Sequence, residues 1–416
     1  MFYSKIADCK NQYMHLRHLA HRHLWQRMPR ELRRRGLFFL TSQLAPRPIR
    51  EQRAAAPFIV VGFLRTSSGL GESARLCHDA LAQRGYEVYG IDLTAKFEQT
   101  GPRVDFQFKD GRVLEGGGTL ILHVNGPFVP LAMMCLGKRL IATKRIIGYW
   151  AWELADAPPE WRFGLPFVHE IWVPSRFTAA GIRQIAGKTR IRVVPHPVAA
   201  RKRLTTTTRQ KNVPFTVLVC FDMASSFARK NPLGAVKAFR MAFGNDITCR
   251  LLLRILNPNI YREGHAALLA EIDSAPNIEV KDDGSGGTDV GELYSSADAV
   301  LSLHRSEGFG LVLAEAMLHG LAVVATNWSG NVDFLTDKNG MPVSYTLVPA
   351  VDPQGTYDHP SSVWAEADIE DAAIKLRALR DDRKLCLTLG RRAAREAALG
   401  FGTACYGKLL KEAFNL

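Results

Sequence analysis

The sequence predicts an α/β protein built from two doubly wound parallel-sheet domains. Three observations carry this. A strand, small-residue loop, helix and strand follow one another from Phe58, a second such series starts at Phe215, and a polar, threonine-rich stretch, 199–213, separates the two. The strands are short continuous apolar runs instead of alternating ones, as expected where both faces of a sheet are covered by helices.

The elements follow in order. Phe58–Phe63 is a buried strand, Ser67–Glu72 a loop of small residues, Ser73–Arg84 a helix and Gly85–Ile91 the next strand. The loop lacks the G-x-G-x-x-G spacing of a dinucleotide site, although the unit is Rossmann-like. Thr119–Gly126 is a further strand, with His123 and Asn125 at its carboxyl end, the end that faces the ligand crevice of an open parallel sheet. Ile146–Glu153 brings Trp150, Trp152 and Glu153 together. Flat rings beside a carboxylate suit a carbohydrate surface, although tryptophans are as readily core. Ile171–Ser175 leads into the helix Arg176–Ala186, with Ser175 as its cap, and Ile191–Pro197 closes the first half.

In the second half, the strand Phe215–Phe221 precedes a loop holding Arg229 and Lys230, and Pro232 opens the next helix. Leu251–Leu256 and Ile278–Val280 are strands, and Asp282–Asp289 is a glycine-rich loop. The stretch SEGFGLVLAEAMLHGLAVVATNWSG, residues 306–330, is the centre of the reading. The strand Ala299–Leu303 enters a polar, glycine-rich turn, a helix runs from about Leu311 to His319, and Leu321–Ala325 is the strand that follows. Gly308 and Gly310 permit close backbone approach, and the first amides of the helix face back into the turn, where an anion binds. Glu307 and Glu315 bracket the turn. On one helix they would stand roughly 12 Å apart, too far for a glycosidic acid/base pair. Two acceptors holding the ends of an elongated ligand, with amides at its middle, describe a nucleotide sugar.

These residues resemble the E-x7-E motif of the retaining glycosyltransferases of family four. That resemblance implies the GT-B fold: two Rossmann-like domains with parallel sheets facing a cleft, here preceded by a basic N-terminal arm. It implies an arm over 1–56, an acceptor domain over 57–198, a donor domain over 199–392, and a terminal helix, 393–416, crossing back to the first domain. It further implies that Glu307 and His123 contact the transferred sugar, that Gly308, Phe309, Gly310 and Leu311 offer their backbone to the diphosphate, and that Glu315 holds the ribose. It implies as well that Lys230 stabilises the leaving diphosphate, with Arg229 in place of the family's earlier arginine, and that Gly69 and Gly71 lie on the cleft floor. Trp150, Trp152 and Glu153 are acceptor-side candidates from their chemistry. The Trp328–Asn331 stretch is similar to bacterial polysaccharide transferases and leans toward mannose. No metal or other cofactor is required by any visible motif; the substrate is a nucleoside diphosphate sugar, and the acceptor is lipid-linked or a saccharide. A GT-B-like epimerase or phosphorylase is the rival enzyme, and a non-catalytic lipid- or nucleic-acid-binding protein is the rival outside catalysis.

Composition sets the boundaries. At 416 residues, 47% hydrophobic and 23% charged, the chain accommodates two ordinary domains and an appendage. It lacks an apolar run of about 18 residues and the charged-then-apolar order of a signal peptide. The seven cysteines are scattered with no C-x-x-C, which reads as reduced thiols in a cytoplasmic protein. Of the net charge of +14, most sits at the start: residues 1–50 hold 11 Lys or Arg against Asp8 and Glu31. Within 1–40 a basic amphipathic pattern with Trp25 suits an anionic membrane surface, here the inner face of the plasma membrane, or an arm packed on its own domain; nucleic acid is not expected.

Overall fold

The structure is a computed structural model that describes residues 30–49, 53–99, 101–198, 213–283, 290–358 and 361–414. The start of the basic arm, the 199–212 linker and most of the glycine-rich loop predicted over 282–289 lie outside these residues.

Six strands form the first sheet: β1 (Phe58–Gly62), β2 (Val88–Asp92), β3 (Thr119–Leu122), β4 (Arg145–Tyr149), β5 (Glu170–Val173) and β6 (Arg190–Val193). They lie in the order β2-β1-β3-β4-β5-β6 and all pair in parallel. The second sheet holds β7 (Phe215–Asp222), β8 (Cys249–Leu256), β9 (Ile278–Asp283), β10 (Ala299–Ser302), β11 (Ala322–Thr326) and β12 (Met341–Val343). Its order is β12-β11-β10-β7-β8-β9, again parallel throughout. Every residue of β1 and of β11 is buried, which explains why these strands are continuous apolar runs.

Each sheet has a point where the chain turns from building one side to building the other. Ligands of such sheets bind outside the carboxyl ends of the strands at that point. In the first sheet it lies between β1 and β3, and in the second between β7 and β10. The second case brings the loop after β7 beside the turn after β10, although the residues that meet there are 77 apart in sequence.

A third, antiparallel sheet pairs β13 (Tyr345–Pro349) with β14 (Val363–Ala367). This hairpin has no counterpart among the elements expected from the sequence. Its connecting segment is tied to the loop after β7: Ser226 donates to Asp352 at 2.8 Å, and the Gln354 amide donates to the Met223 carbonyl at 2.8 Å.

Two helices refine the expectation. Residues Arg30–Leu44, within the basic arm, form a helix docked on the first domain, as in an arm packed on its own domain. Phe38 is 5% exposed and meets Phe128 edge-on at 5.1 Å, and Arg35 pairs with Glu160 at 2.6 Å. The helix after β1 starts at Gly69 and not at Ser73, because the Ser68 hydroxyl caps the Gly71 amide at 3.1 Å. The C-terminal segment is two helices, Arg383–Gly400 and Thr403–Phe414. The last lies on the first domain: the Tyr406 hydroxyl meets Cys77 Sγ at 3.3 Å, and the Phe414 ring lies 4.8 Å from that of Phe58. Among the described residues no helix is long and apolar enough to cross a membrane.

Candidate functional site

The turn after β10 supplies the carboxylate at the centre of the cleft. Glu307 lies in this turn, ahead of the helix Leu311–Leu318, and not on the helix itself. Its amide donates to Ser329 Oγ at 2.7 Å, and its carbonyl accepts from the Gly330 amide at 2.8 Å. Gly330 has a steric reason to be glycine: a Cβ there would stand 2.3 Å from the Gly308 carbonyl oxygen and 2.7 Å from the Phe309 nitrogen. Asn331 Oδ1 then accepts from His304 Nε2 at 3.0 Å, and its amide nitrogen donates to the Thr326 carbonyl at 2.9 Å. The W-S-G-N stretch therefore fixes the peptide that carries Glu307.

Two cations meet Glu307. Lys230 Nζ bonds its Oε1, and Arg229 Nη1 lies 3.3 Å from its Oε2. Burial alone would raise the Glu307 carboxyl, but Lys230 and Arg229 outweigh it and hold the pKa at about 2. Glu307 is thus an ionised acceptor at neutral pH. Arg229 is 2% exposed and is anchored by donation to the Ser306 carbonyl at 2.7 Å and to the Ser225 carbonyl at 2.9 Å. Lys230 keeps 18% of its side chain exposed, so it is the more accessible of the two.

Gly310 caps the Leu311–Leu318 helix with φ of 96° and no side-chain hydrogen bond. That left-handed backbone favours glycine, and it leaves no cap side chain between the first helical amides and a ligand. Phe309 anchors the turn from beneath, 4% exposed, with its ring 5.0 Å from both His196 and Phe334. Gly308 faces the first domain: its carbonyl accepts from Thr178 Oγ1 at 3.3 Å. Further along the helix, Glu315 accepts from the Tyr294 hydroxyl at 2.9 Å. Glu307, Gly308, Phe309, Gly310, Leu311 and Glu315 all line one cleft of about 1040 Å³ that also exposes Arg229 and Lys230.

The first domain contributes Glu153. Its carbonyl accepts from Ser306 Oγ, its carboxyl is hydrogen-bonded by Tyr357, and burial raises its pKa against the opposing pull of Arg229. Tyr357 comes from the segment between β13 and β14, with its ring 5.0 Å below the Arg229 guanidinium and 5.4 Å from that of Trp152. Nothing in the sequence pattern marked this tyrosine, because a long-range hairpin delivers it.

Other expected positions fall differently. His123 is 1% exposed, behind the cleft wall: Ser73 Oγ lies 2.8 Å from its Nδ1, and its ring stacks on Tyr149 at 4.6 Å. The helix after β1 and the ring from β4 cover the strand end that was expected to be open. From the first domain the histidine that lines the cleft is His196, whose Nδ1 lies 3.1 Å from the Tyr149 hydroxyl and whose pKa burial lowers to about 3. Trp150 is fully buried core, meeting Trp161 edge-on at 5.7 Å; Trp152 and Glu153 reach the cleft. Gly69 lines the cleft, whereas Gly71 is packed so that a Cβ would lie 2.5 Å from the Thr66 carbonyl oxygen. Among the described residues no group of His, Cys, Asp or Glu gathers in a metal-binding arrangement.

Residues 257–364 match the family model for glycosyl transferases group 1. This stretch contains Glu307 and Glu315 but begins after Lys230 and after the whole first domain. Over 129 residues the chain is 27% identical to the sulfoquinovosyl transferase SQD2 of Arabidopsis thaliana, a match covering 31% of this chain and 22% of that protein. Sucrose-phosphate synthase of Thermosynechococcus elongatus superposes with a TM-score of 0.61 at 15% identity, covering 86% of this chain and 100% of that one. Anabaena HepE, solved with UDP and glucose, gives 0.58 at 15% identity over 86% and 100%. TarM of S. aureus, in a complex that contains UDP, gives 0.54 at 14% identity, and this chain covers 55% of its length. With its two parallel six-stranded sheets, the chain has the GT-B fold.

Proposed function

We propose that this protein is a glycosyltransferase that moves a hexose from a nucleoside diphosphate sugar to a hydroxyl of a saccharide or lipid-linked acceptor, with retention of anomeric configuration. The observation that carries this reading is Glu307 held ionised by Lys230 and Arg229 at the mouth of a glycine turn that leads into an uncapped helix. The turn and helix amides suit a diphosphate, and the two cations suit the charge that grows on it as the sugar leaves. In this reading Glu315, which accepts from the Tyr294 hydroxyl, holds hydroxyls at the nucleoside end. The similarity of residues 257–364 to glycosyl transferases group 1 supports the donor half of the proposal. Retention rests on the E-x7-E resemblance, and a preference for mannose on the Trp328–Asn331 stretch alone.

Within this chain each group has a separate task. Glu307 accepts from sugar hydroxyls, and Lys230 moves between that carboxylate and the incoming phosphate. Arg229, bound to two carbonyls, keeps the Glu307 turn against the loop after β7. The contacts of Gly308 with Thr178 and of Ser306 with Glu153 join the two domains at the reacting end, where water must be excluded. Residues 1–40 carry the proposed contact with an anionic membrane surface.

Thermal-shift and calorimetric screening against UDP, GDP and ADP sugars, followed by NMR of the product anomer, tests the proposal. It expects one nucleotide class to bind, transfer to an added acceptor with the anomeric configuration kept, and loss of turnover in Glu307→Ala. Phosphate-dependent cleavage or sugar epimerisation without an acceptor would replace it.

A further inference from the structure

The two walls of the cleft differ in charge: on the second-domain wall the acids Asp222, Glu307 and Glu315 are matched by cations, whereas on the first-domain wall Glu72, Asp79, Asp105 and Glu153 outnumber them. Arg229, Lys230 and Arg254 stand on the wall of the second domain. On the first-domain wall, among the described residues, Arg75 is the one Lys or Arg that faces the cleft. Its guanidinium is committed internally: it donates to the Leu64 carbonyl at 3.1 Å and the Thr66 carbonyl at 2.7 Å, and pairs with Glu72 at 2.6 Å. His196 on the same side is held neutral by burial.

What this wall presents instead is oxygen and amide. Leu76, Asp79 and Gln83 recur at helical spacing along one face of the helix after β1 and its cap, and Gln99, Asp105 and Phe106 line the same cleft. The opposite face of that helix, with Ala74, Cys77 and Leu81, is core. Asp79 keeps 52% of its side chain exposed, with His78 3.2 Å away, and Asp105 accepts from the Gln107 amide at 2.8 Å.

We propose that this wall is the acceptor subsite and that the part of the acceptor entering it is an uncharged, hydroxyl-rich saccharide, any phosphate or lipid on the acceptor staying outside the cleft. The assignment rests on the transferase reading above. Carboxylates and amides together satisfy vicinal hydroxyls, which both donate and accept, and Leu76 and Phe106 give an apolar patch for the C–H face of a pyranose. An anionic group on the same wall would meet Asp79 and Asp105 with no uncommitted cation to offset them, in a cleft where screening is weaker than in bulk solvent. Across the cleft, Lys230 and Arg229 are already assigned to the donor's diphosphate.

The test measures binding as well as turnover on the full chain. Methyl glycosides of glucose, galactose and mannose, and the matching sugar 1-phosphates, are compared by saturation-transfer NMR and as acceptors with the nucleotide sugar that proves active. Wild type is compared with Asp79→Asn/Asp105→Asn and with Asp79→Lys/Asp105→Lys, after each variant is shown to melt as wild type does. The proposal expects wild type to favour a neutral glycoside over its phosphate by about tenfold or more. The asparagine pair raises acceptor KM, the lysine pair shrinks or reverses the ratio, and both leave nucleotide affinity unchanged. A wild type that prefers the phosphate, or a lysine pair that leaves the ratio untouched, overturns it. If nucleotide binding and donor hydrolysis persist in that event, only this subsite falls. If they are absent from wild type as well, the transferase reading fails first.

Discussion

The two sheets reach their crevices by the same topological device and use them in opposite ways. Between β7 and β10 the diverging loops leave Lys230, Arg229 and Glu307 at the cleft surface as a charged triad. Between β1 and β3 the equivalent space is largely filled by a neutral stack, in which Ser73, His123, Tyr149 and His196 follow one another by hydrogen bond and ring contact. A parallel sheet therefore supplies a crevice, and the side chains at the strand ends decide whether it is chemistry or core. In the second domain the crevice is chemistry; in the first it is mainly a rigid backing for the wall.

The largest effect that would test this contrast is at Lys230. If the charged triad stabilises a leaving diphosphate, Lys230→Ala lowers kcat/KM by about 10²–10³, the scale for removing one preorganised electrostatic partner. The fold should survive, because 18% of the Lys230 side chain is exposed and Arg229 still faces Glu307. Steady-state kinetics beside a melting curve would check both. Unchanged turnover would make the triad merely structural.

Next in size is Gly330→Ala. The new methyl would press on the backbone of the Gly308 turn at 2.3 Å, which no side-chain rotation relieves. A cost of about 3 kcal/mol is expected, at the upper end for overpacking, with nucleotide affinity falling alongside it because the turn itself is displaced. Denaturant unfolding and calorimetry on one preparation would separate the two losses.

How far these features could be read beforehand depends on sequence separation. Glu307, the glycine turn, the Leu311–Leu318 helix and β11 form one contiguous stretch, so their order and their proximity are the same fact. The parallel strands were equally legible, because burial on both faces leaves a continuous apolar run. Tyr357 was not: its place beneath Arg229 depends on the β13–β14 hairpin and on the Asp352 and Gln354 contacts, none of which has a local pattern. The docked Arg30–Leu44 helix was hidden by its own charge, since a helix that buries one narrow stripe through Phe38, Thr41 and Ser42 looks basic in composition. His123 was misplaced for a related reason. The strand end was correctly located, but what covers it comes from another helix and another strand.

A smaller effect follows from the neutral stack. Burial, and secondarily His196, pushes the His123 pKa well below 6.5, and burial lowers His196 to about 3. The unfolded chain therefore binds protons that the folded chain refuses once pH drops past 6.5. This stability is complete above pH 6.5 and is lost as pH falls toward each folded-state pKa, about 3 for His196, at about 1.4 kcal/mol per pH unit for each histidine. Urea midpoints measured from pH 7.5 to 5 should show this slope, and His196→Gln should remove part of it. A flat profile over that window would mean that the first crevice is wetter than its packing indicates.

The smallest effect probes whether the charged crevice belongs to one domain alone. Tyr357→Phe deletes the hydroxyl that binds Glu153 but keeps the ring against Arg229 at 5.0 Å and Trp152 at 5.4 Å. One such hydrogen bond is worth about 1 kcal/mol, so roughly a fivefold loss in kcat/KM is expected with nucleotide affinity intact. Tyr357→Ala removes the ring too and should cost more, because the Arg229 guanidinium then loses its stacking partner and Trp152 its neighbour. If the phenylalanine variant also loses nucleotide affinity, Glu153 acts on the donor through the triad and the two crevices work as one; if it loses only turnover, the carboxyl from the first domain serves the reacting end alone.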